Sequence, residues 1–191
     1  NVLSHTPEPA GFEVRVVDPL ATQRFRQPAH PGNKTDDTDL AAIVRAAARI
    51  GSRPIIFDVR DGDEGYECER VDVSRRADIE RAVEDVVARH GALHGVVACA
   101  GVDACGKLAD VPAEEWERVI AVNLLGTVAL VRAALPHLER TCGKVVTIAS
   151  TLGLRALSDA TAYCASKFGV VGFTRALAAE TAGSVGVTLL V

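Results

Sequence analysis

Tyr163 and Lys167 stand four residues apart in Ala162-Tyr163-Cys164-Ala165-Ser166-Lys167. On a helix that spacing places a phenol and an ammonium on one face. A neighbouring positive charge favours tyrosinate, lowers the phenol from its reference pKa of about 10, and lets it exchange a proton near neutrality. Ser150 follows the apolar run Lys144–Ala149. A hydroxyl at the carboxyl edge of a parallel strand lies where open α/β sheets take ligands. Asn123 interrupts an apolar helical stretch in Val122-Asn123-Leu124-Leu125-Gly126-Thr127. Alone, the Tyr–Lys pair also describes a surface lysine beside a half-buried tyrosine. Joined by Ser150 and Asn123, the set points to proton transfer at a strand edge.

The elements that must hold these groups follow from hydrophobic periodicity. Ile55-Ile56-Phe57 reads as a short strand ending in Asp58, and Glu69-Arg70-Val71 as another leading into Asp72-Val73. Ala77 to His90 has helical spacing and is stopped by Gly91. Ser74 is the expected cap, and Arg75-Arg76 a solvated start. Gly95–Ala98 and Lys144–Ala149 read as buried strands, Pro112–Leu138 as a long helix weakened at Gly126 and Pro136, Asp159–Ala182 as a helix, and Val187–Val191 as a last strand. Trp116 is placed on the core face of its helix, and His90 and His94 flank a turn. Strands alternating with helices predict a parallel sheet covered on both faces.

Residues 1–39 read differently, with only Phe12–Val17 resembling a strand; Leu40–Ile50 follows as a helix after Asp36, Asp37 and Asp39. Six of the chain's eight prolines lie within residues 1–54. The 191 residues allow one domain with a sizeable core. Charged residues are 24% and hydrophobic ones 48%, which argues against wholesale disorder. A net charge of −4, with six basic and six acidic side chains in residues 1–50, argues against a nucleic-acid partner. Uninterrupted apolar stretches shorter than a bilayer requires predict no membrane partner. Five cysteines without a CxxC pair signal neither a disulfide framework nor a metal site, and reduced thiols predict a cytoplasmic location. An Asn at position 1, the absence of methionine, and a strand-like run at the last residue predict an excerpt.

Asn123, Ser150, Tyr163 and Lys167, in that order and spacing, resemble the catalytic tetrad of the short-chain dehydrogenases/reductases. The resemblance runs from about residue 42 to 191 and includes Asp72-Val73 and Ala98-Cys99-Ala100-Gly101. It implies an α/β fold, a Rossmann-like doubly wound parallel sheet, truncated at the C-terminus and atypical at the N-terminus. It implies that Tyr163 is the general acid/base, that Ser150 bonds the substrate oxygen, and that Lys167 binds the nicotinamide ribose and tunes Tyr163. Asn123 would hold a water linking Lys167 to solvent. The implied reaction is hydride transfer between a nicotinamide cofactor and an alcohol or ketone. The family further suggests that Asp72 meets the adenine amino group and Val73 its ring, with Cys99, Ala100 and Gly101 alongside the cofactor, and that the chain is a homo-oligomer. Asp58, at the end of its strand, suits the adenosine hydroxyls and repels a 2′-phosphate, which favours NAD over NADP. Its other reading is a turn-initiating Asp before Asp61-Gly62.

The sequence departs from the family in three places. The glycine-rich turn that receives the pyrophosphate is absent before Asp58, where only Gly11, Gly32 and Gly51 occur. The family's Asn-Asn-Ala-Gly is Ala98-Cys99-Ala100-Gly101, and Cys99 is expected as a small buried residue. The family's substrate segment beyond the last strand is not in the chain. Residues 11–40, with Asp36 and Asp39, weakly resemble a stretch of DEDD-type insertion-sequence transposases. Two carboxylates alone do not make that family's two-metal site, and helix-capping acids are the competing reading. The expected division is therefore an atypical, foreign segment at 1–41 and a partial dinucleotide-binding domain at 42–191. The function classes in play are an oxidoreductase, a catalytically inactive remnant or scaffold, and a mobile-element fusion.

Overall fold

The computed structural model describes residues 55–59 and 67–191. The expected strand Phe12–Val17, the helix Leu40–Ile50 and the acidic pair Asp36 and Asp39 lie outside the described residues. In chain order the elements are β1 (Ile55–Asp58), β2 (Glu67–Arg70), α1 (Arg76–His90), β3 (Gly95–Ala98), α2 (Ala113–Ile120), a π-helical turn (Ala121–Gly126), α3 (Thr127–Thr141), β4 (Lys144–Ile148), a 3₁₀ turn (Thr151–Gly153), α4 (Thr161–Glu180) and β5 (Gly186–Leu190). This is the expected alternation of strand and helix, an α/β Rossmann-like fold.

Every strand pair is parallel. β1 pairs with β2, aligning Ile55 with Glu67. β4 stands between β3 and β5, with Val145 beside Val96 and Val187. Among the described residues the strands therefore form a two-stranded and a three-stranded piece. A shared helical layer bridges them. Phe57 of β1 and, separately, Ala129 and Leu130 of α3 pack against one cluster that includes Ile79 and Val83 of α1. α3 in turn buries Val131, Ala134 and Leu138 against Val145 and Val187.

Burial along the strands alternates. Val145, Thr147, Val187 and Leu189 are buried, whereas Val146, Ile148, Thr188 and Leu190 are half-buried and Val97 is 36% exposed. Val145 and Val187 meet α3 and α4, and Leu189 meets Val170 and Val171 of α4. The Thr147 and Thr174 hydroxyls bond across the same interface at 2.7 Å. Among the described residues α3 and α4 pack on the face bearing Val145, Val187 and Leu189.

Local chemistry moves several boundaries. Gly91 closes α1 in the left-handed conformation at φ 78°, but His90 is still helical and its Nε2 lies 3.1 Å from Glu67 Oε1. Ser74 does not cap α1. Its hydroxyl and N–H both donate to Asp72 Oδ1, and Arg75 and Arg76 are exposed as expected. Pro136 does not end α3, because it lies on the exposed side, and the helix runs to Thr141. Asp159 has φ 60°, which is incompatible with a helical start, so α4 begins at Thr161. Trp116 is half-buried and donates through Nε1 to Thr161 Oγ1.

The run Ala113–Thr141 is by length and apolar composition alone able to cross a membrane, which its short uninterrupted apolar stretches concealed. In this fold Asn123, Val131, Ala134 and Leu138 of that run are buried by neighbouring elements.

Leu138 is fully buried where α3 meets β4. Leu138→Ala is expected to cost about 2–5 kcal/mol, through lost burial and an unfilled cavity. Urea unfolding should show a lower midpoint with an unchanged slope.

Candidate active site

α4 carries Tyr163 and Lys167 along its contact with the carboxyl end of β4. Lys167 is 5% exposed, and its Nζ donates to the Ile148 carbonyl at 2.9 Å. The same Nζ lies 5.5 Å from the centroid of the Tyr163 ring. β4 ends at Ile148, and Ser150 follows in extended conformation as the cap of the 3₁₀ turn, its Oγ accepting from Leu152 N–H at 3.2 Å. That turn rests directly on α4. A Cβ built on Gly153 would lie 2.8 Å from the Lys167 carbonyl oxygen, so only glycine permits the approach. The contacts of Lys167 with Ile148 and Gly153 bracket Ser150 and hold it beside the Tyr–Lys turn.

Asn123 enters from the π-helical turn. It is 1% exposed and its amide is engaged at both ends. Oδ1 accepts from Val102 N–H at 2.8 Å, and Nδ2 donates to Val102 O at 2.9 Å and to Ser166 Oγ at 3.0 Å. Its backbone carbonyl accepts from Thr127 Oγ1 at 2.8 Å. Single π turns inside α-helices occur frequently at functional sites. This one brings Gly126 against Val73, where a Cβ would lie 2.8 Å from the Val73 carbonyl oxygen. Gly101, at the end of the β3 loop, has no side chain to fill the space between Asn123 Oδ1 and Lys167 Nζ, each 3.7 Å from where its Cβ would be. Asn123, Ser150, Tyr163, Lys167, Gly101 and Val73 are thus drawn into one region at the carboxyl end of the strands.

The remaining sequence candidates lie along the same edge. Asp58 ends β1, and its carbonyl accepts from Val71 N–H at 2.8 Å, so Asp58 and Asp72 leave neighbouring strands side by side. Asp72 Oδ1 accepts from Ser74 N–H at 2.9 Å and from Ser74 Oγ at 2.7 Å. The two Ser74 bonds, first the hydroxyl and then the N–H, hold the Asp72 carboxyl below the ordinary carboxylate range, assisted by Arg75 and Arg118 against a small opposing effect of burial. Cys99 is half-buried rather than buried, and Ala100 is exposed, because β3 has ended at Ala98 and the chain is leaving the sheet. Among the described residues no group of three or more His, Cys, Asp or Glu side chains gathers as a metal site. Sequence reasoning quoted Ser166 within its motif but assigned it no task. The signal was a hydroxyl on the buried face of an apolar helix.

A parallel sheet edge bearing a phenol, a buried ammonium and a hydroxyl carries groups able to move a proton, and comparison with known proteins supplies the class, an oxidoreductase family. Residues 56–190 match the family model described as short chain dehydrogenase, and the chain belongs to that family. It is 34% identical over 137 residues to a short-chain dehydrogenase/reductase of Pyricularia oryzae, covering 69% of this chain and 49% of that protein. It is 34% identical over 158 residues to 2-(S)-hydroxypropyl-CoM dehydrogenase 3 of Xanthobacter autotrophicus, covering 74% of this chain and 61% of that one. Among solved structures, the ligand-free aldohexose dehydrogenase of Thermoplasma acidophilum superposes with a TM-score of 0.72 at 27% identity, over 75% of this chain and 57% of that one. The chain spans about half to three fifths of the length of these relatives. Membership of the family implies a nicotinamide cofactor.

The depressed Asp72 carboxyl makes stability depend on pH. Its folded-state value lies below the unfolded one, so as pH falls the unfolded chain takes up the proton first. The contribution is complete above the unfolded value and is lost as pH falls through the folded one. Asp72→Asn should therefore be less stable than the parent at neutral pH and approach it in acid. Urea unfolding across that range checks this, and a constant difference at every pH would contradict it.

Proposed function

We propose that this chain is the core of an NAD(H)-dependent oxidoreductase that interconverts an alcohol and a ketone. The observation that carries the reading is the buried Lys167 ammonium beside the Tyr163 ring, at the strand edge where Ser150 emerges. An ammonium held there favours the phenolate form of Tyr163 and lets its oxygen take the proton of an alcohol or return one to a carbonyl. Ser150 Oγ already accepts a bond from Leu152, which leaves its own O–H to donate to the substrate oxygen.

Lys167 and Tyr163 would hold the nicotinamide ribose, Asp58 the adenosine hydroxyls, and Asp72 and Val73 the adenine, with Cys99, Ala100 and Gly101 passing alongside. When bound, the cofactor supplies or accepts the hydride. Asp58 favours NAD, since its carboxylate would repel a 2′-phosphate. The substrate is a small-molecule alcohol or ketone. A homo-oligomer in the cytoplasm, with 42–191 as the oxidoreductase part, completes the reading.

A second reading is a non-catalytic remnant or scaffold. What favours it is sequence: residues 1–54 contain no glycine-rich turn, and Cys99 stands where the family carries an amide. NADH fluorescence titration separates the two. No binding at millimolar cofactor would end the enzymatic reading, and ordinary hydride transfer to any member of a carbonyl panel would end the other.

Given turnover, Tyr163→Phe is expected to lower kcat by about a hundredfold or more while NADH still binds. Asp58→Ser is expected to narrow the preference for NADH over NADPH by about tenfold, read as the ratio of kcat/KM values. Unchanged ratios would return Asp58 to the role of a turn residue.

A further inference from the structure

Ser166 has no exposed surface, and its single hydroxyl joins two partners. Its O–H donates to the Tyr163 carbonyl at 2.8 Å, and its oxygen accepts from Asn123 Nδ2 at 3.0 Å. The directions are determined. A carbonyl can only accept, so the hydroxyl proton goes to Tyr163, and the bond with Asn123 must then be donated by the amide nitrogen. Asn123 Oδ1 must face Val102 N–H, which can only donate, so the amide admits one orientation. The chain of bonds runs from the loop after β3, through the π-helical turn, to the first turn of α4.

We propose that Ser166 is a positioning residue. It ties the backbone of Tyr163 to the Asn123 amide, and so sets the Tyr163–Lys167 turn against the Val102 loop and the Gly101 space. Without the hydroxyl, Asn123 Nδ2 keeps only Val102 O as partner, and a buried amide short of a bond is costly. The turn bearing Tyr163 and Lys167 is then held to the sheet without its link to the β3 loop. The rate consequence rests on the function proposed above, whereas the clamp itself does not.

The test is amide hydrogen exchange on the full chain carrying Ser166→Ala. Val102 N–H, two hydrogen bonds away from the substitution, should exchange about tenfold faster, while β4 and β5 keep their protection. A hydroxyl serving only its own helix would alter exchange near Tyr163 and leave Val102 untouched, and that result overturns the proposal. Ser166→Cys, which keeps a weak donor and acceptor at the same place, should restore part of the Val102 protection. It also serves as the working variant should the alanine form fail to fold: faster exchange at Val102 than in the parent then supports the proposal, and unchanged exchange there overturns it. Where the parent turns over, Ser166→Ala should lower kcat by about tenfold and Ser166→Cys should recover part of it. A parent that binds no NADH at all would sink the proposed function, and the clamp would stand or fall on Val102 alone.

Discussion

A buried ammonium must be answered by acceptors, and much of this site is arranged around that requirement. Lys167 is 5% exposed, and desolvation of a lysine is expensive unless its protons are bonded. The Ile148 carbonyl answers at 2.9 Å from the very end of β4. That bond sets the height of α4 against the sheet. The neighbouring parts conform to it: Gly153 brings the Ser150 turn onto the Lys167 backbone, and Gly101 leaves the region before Nζ open. A neutral side chain at 167 would remove that demand and the one directional bond from it to the end of β4.

Around that contact, polar pairs fix what hydrophobic packing leaves loose. Val145, Leu138 and Leu177 share one core and specify which helix covers which strand. Apolar contact is non-directional, however, and tolerates sliding. The Thr147–Thr174 hydroxyl pair and the bonds of Asn123 do not, because each needs a particular length and direction. The core assembles the layers, and the buried polar groups set their register.

Much of this was legible in the residues. β1, β3, β4 and β5 fall where the short apolar runs are, and Gly91 stops α1 where its left-handed backbone allows. That Lys167 and Asn123 would be tied to polar partners was legible because a Lys and an Asn within apolar helical runs are costly to bury without them. What was not legible depended on partners distant in sequence. The π-helical turn reflects the pull of Val102 and Ser166 on Asn123, 21 and 43 residues away. Ser74 looked like a cap because Ser is a good one, but the Asp72 carboxylate competed for it and won. Cys99 looked buried by size, yet lies where the chain leaves the sheet.

The π-helical turn at Ala121–Gly126 lets the long helical run from Ala113 to Thr141 hold one residue more than regular winding would. A wider turn advances less than the roughly 100° per residue of an α-helix, so it absorbs the extra residue while Val119 and Leu138, on either side of it, both stay buried. Deleting one residue within the turn would restore regular winding and leave the two faces nearly in register, whereas a deletion in either flanking helix would swing them apart by about 100°. A change of length is thus absorbed at this turn and nowhere else along the run.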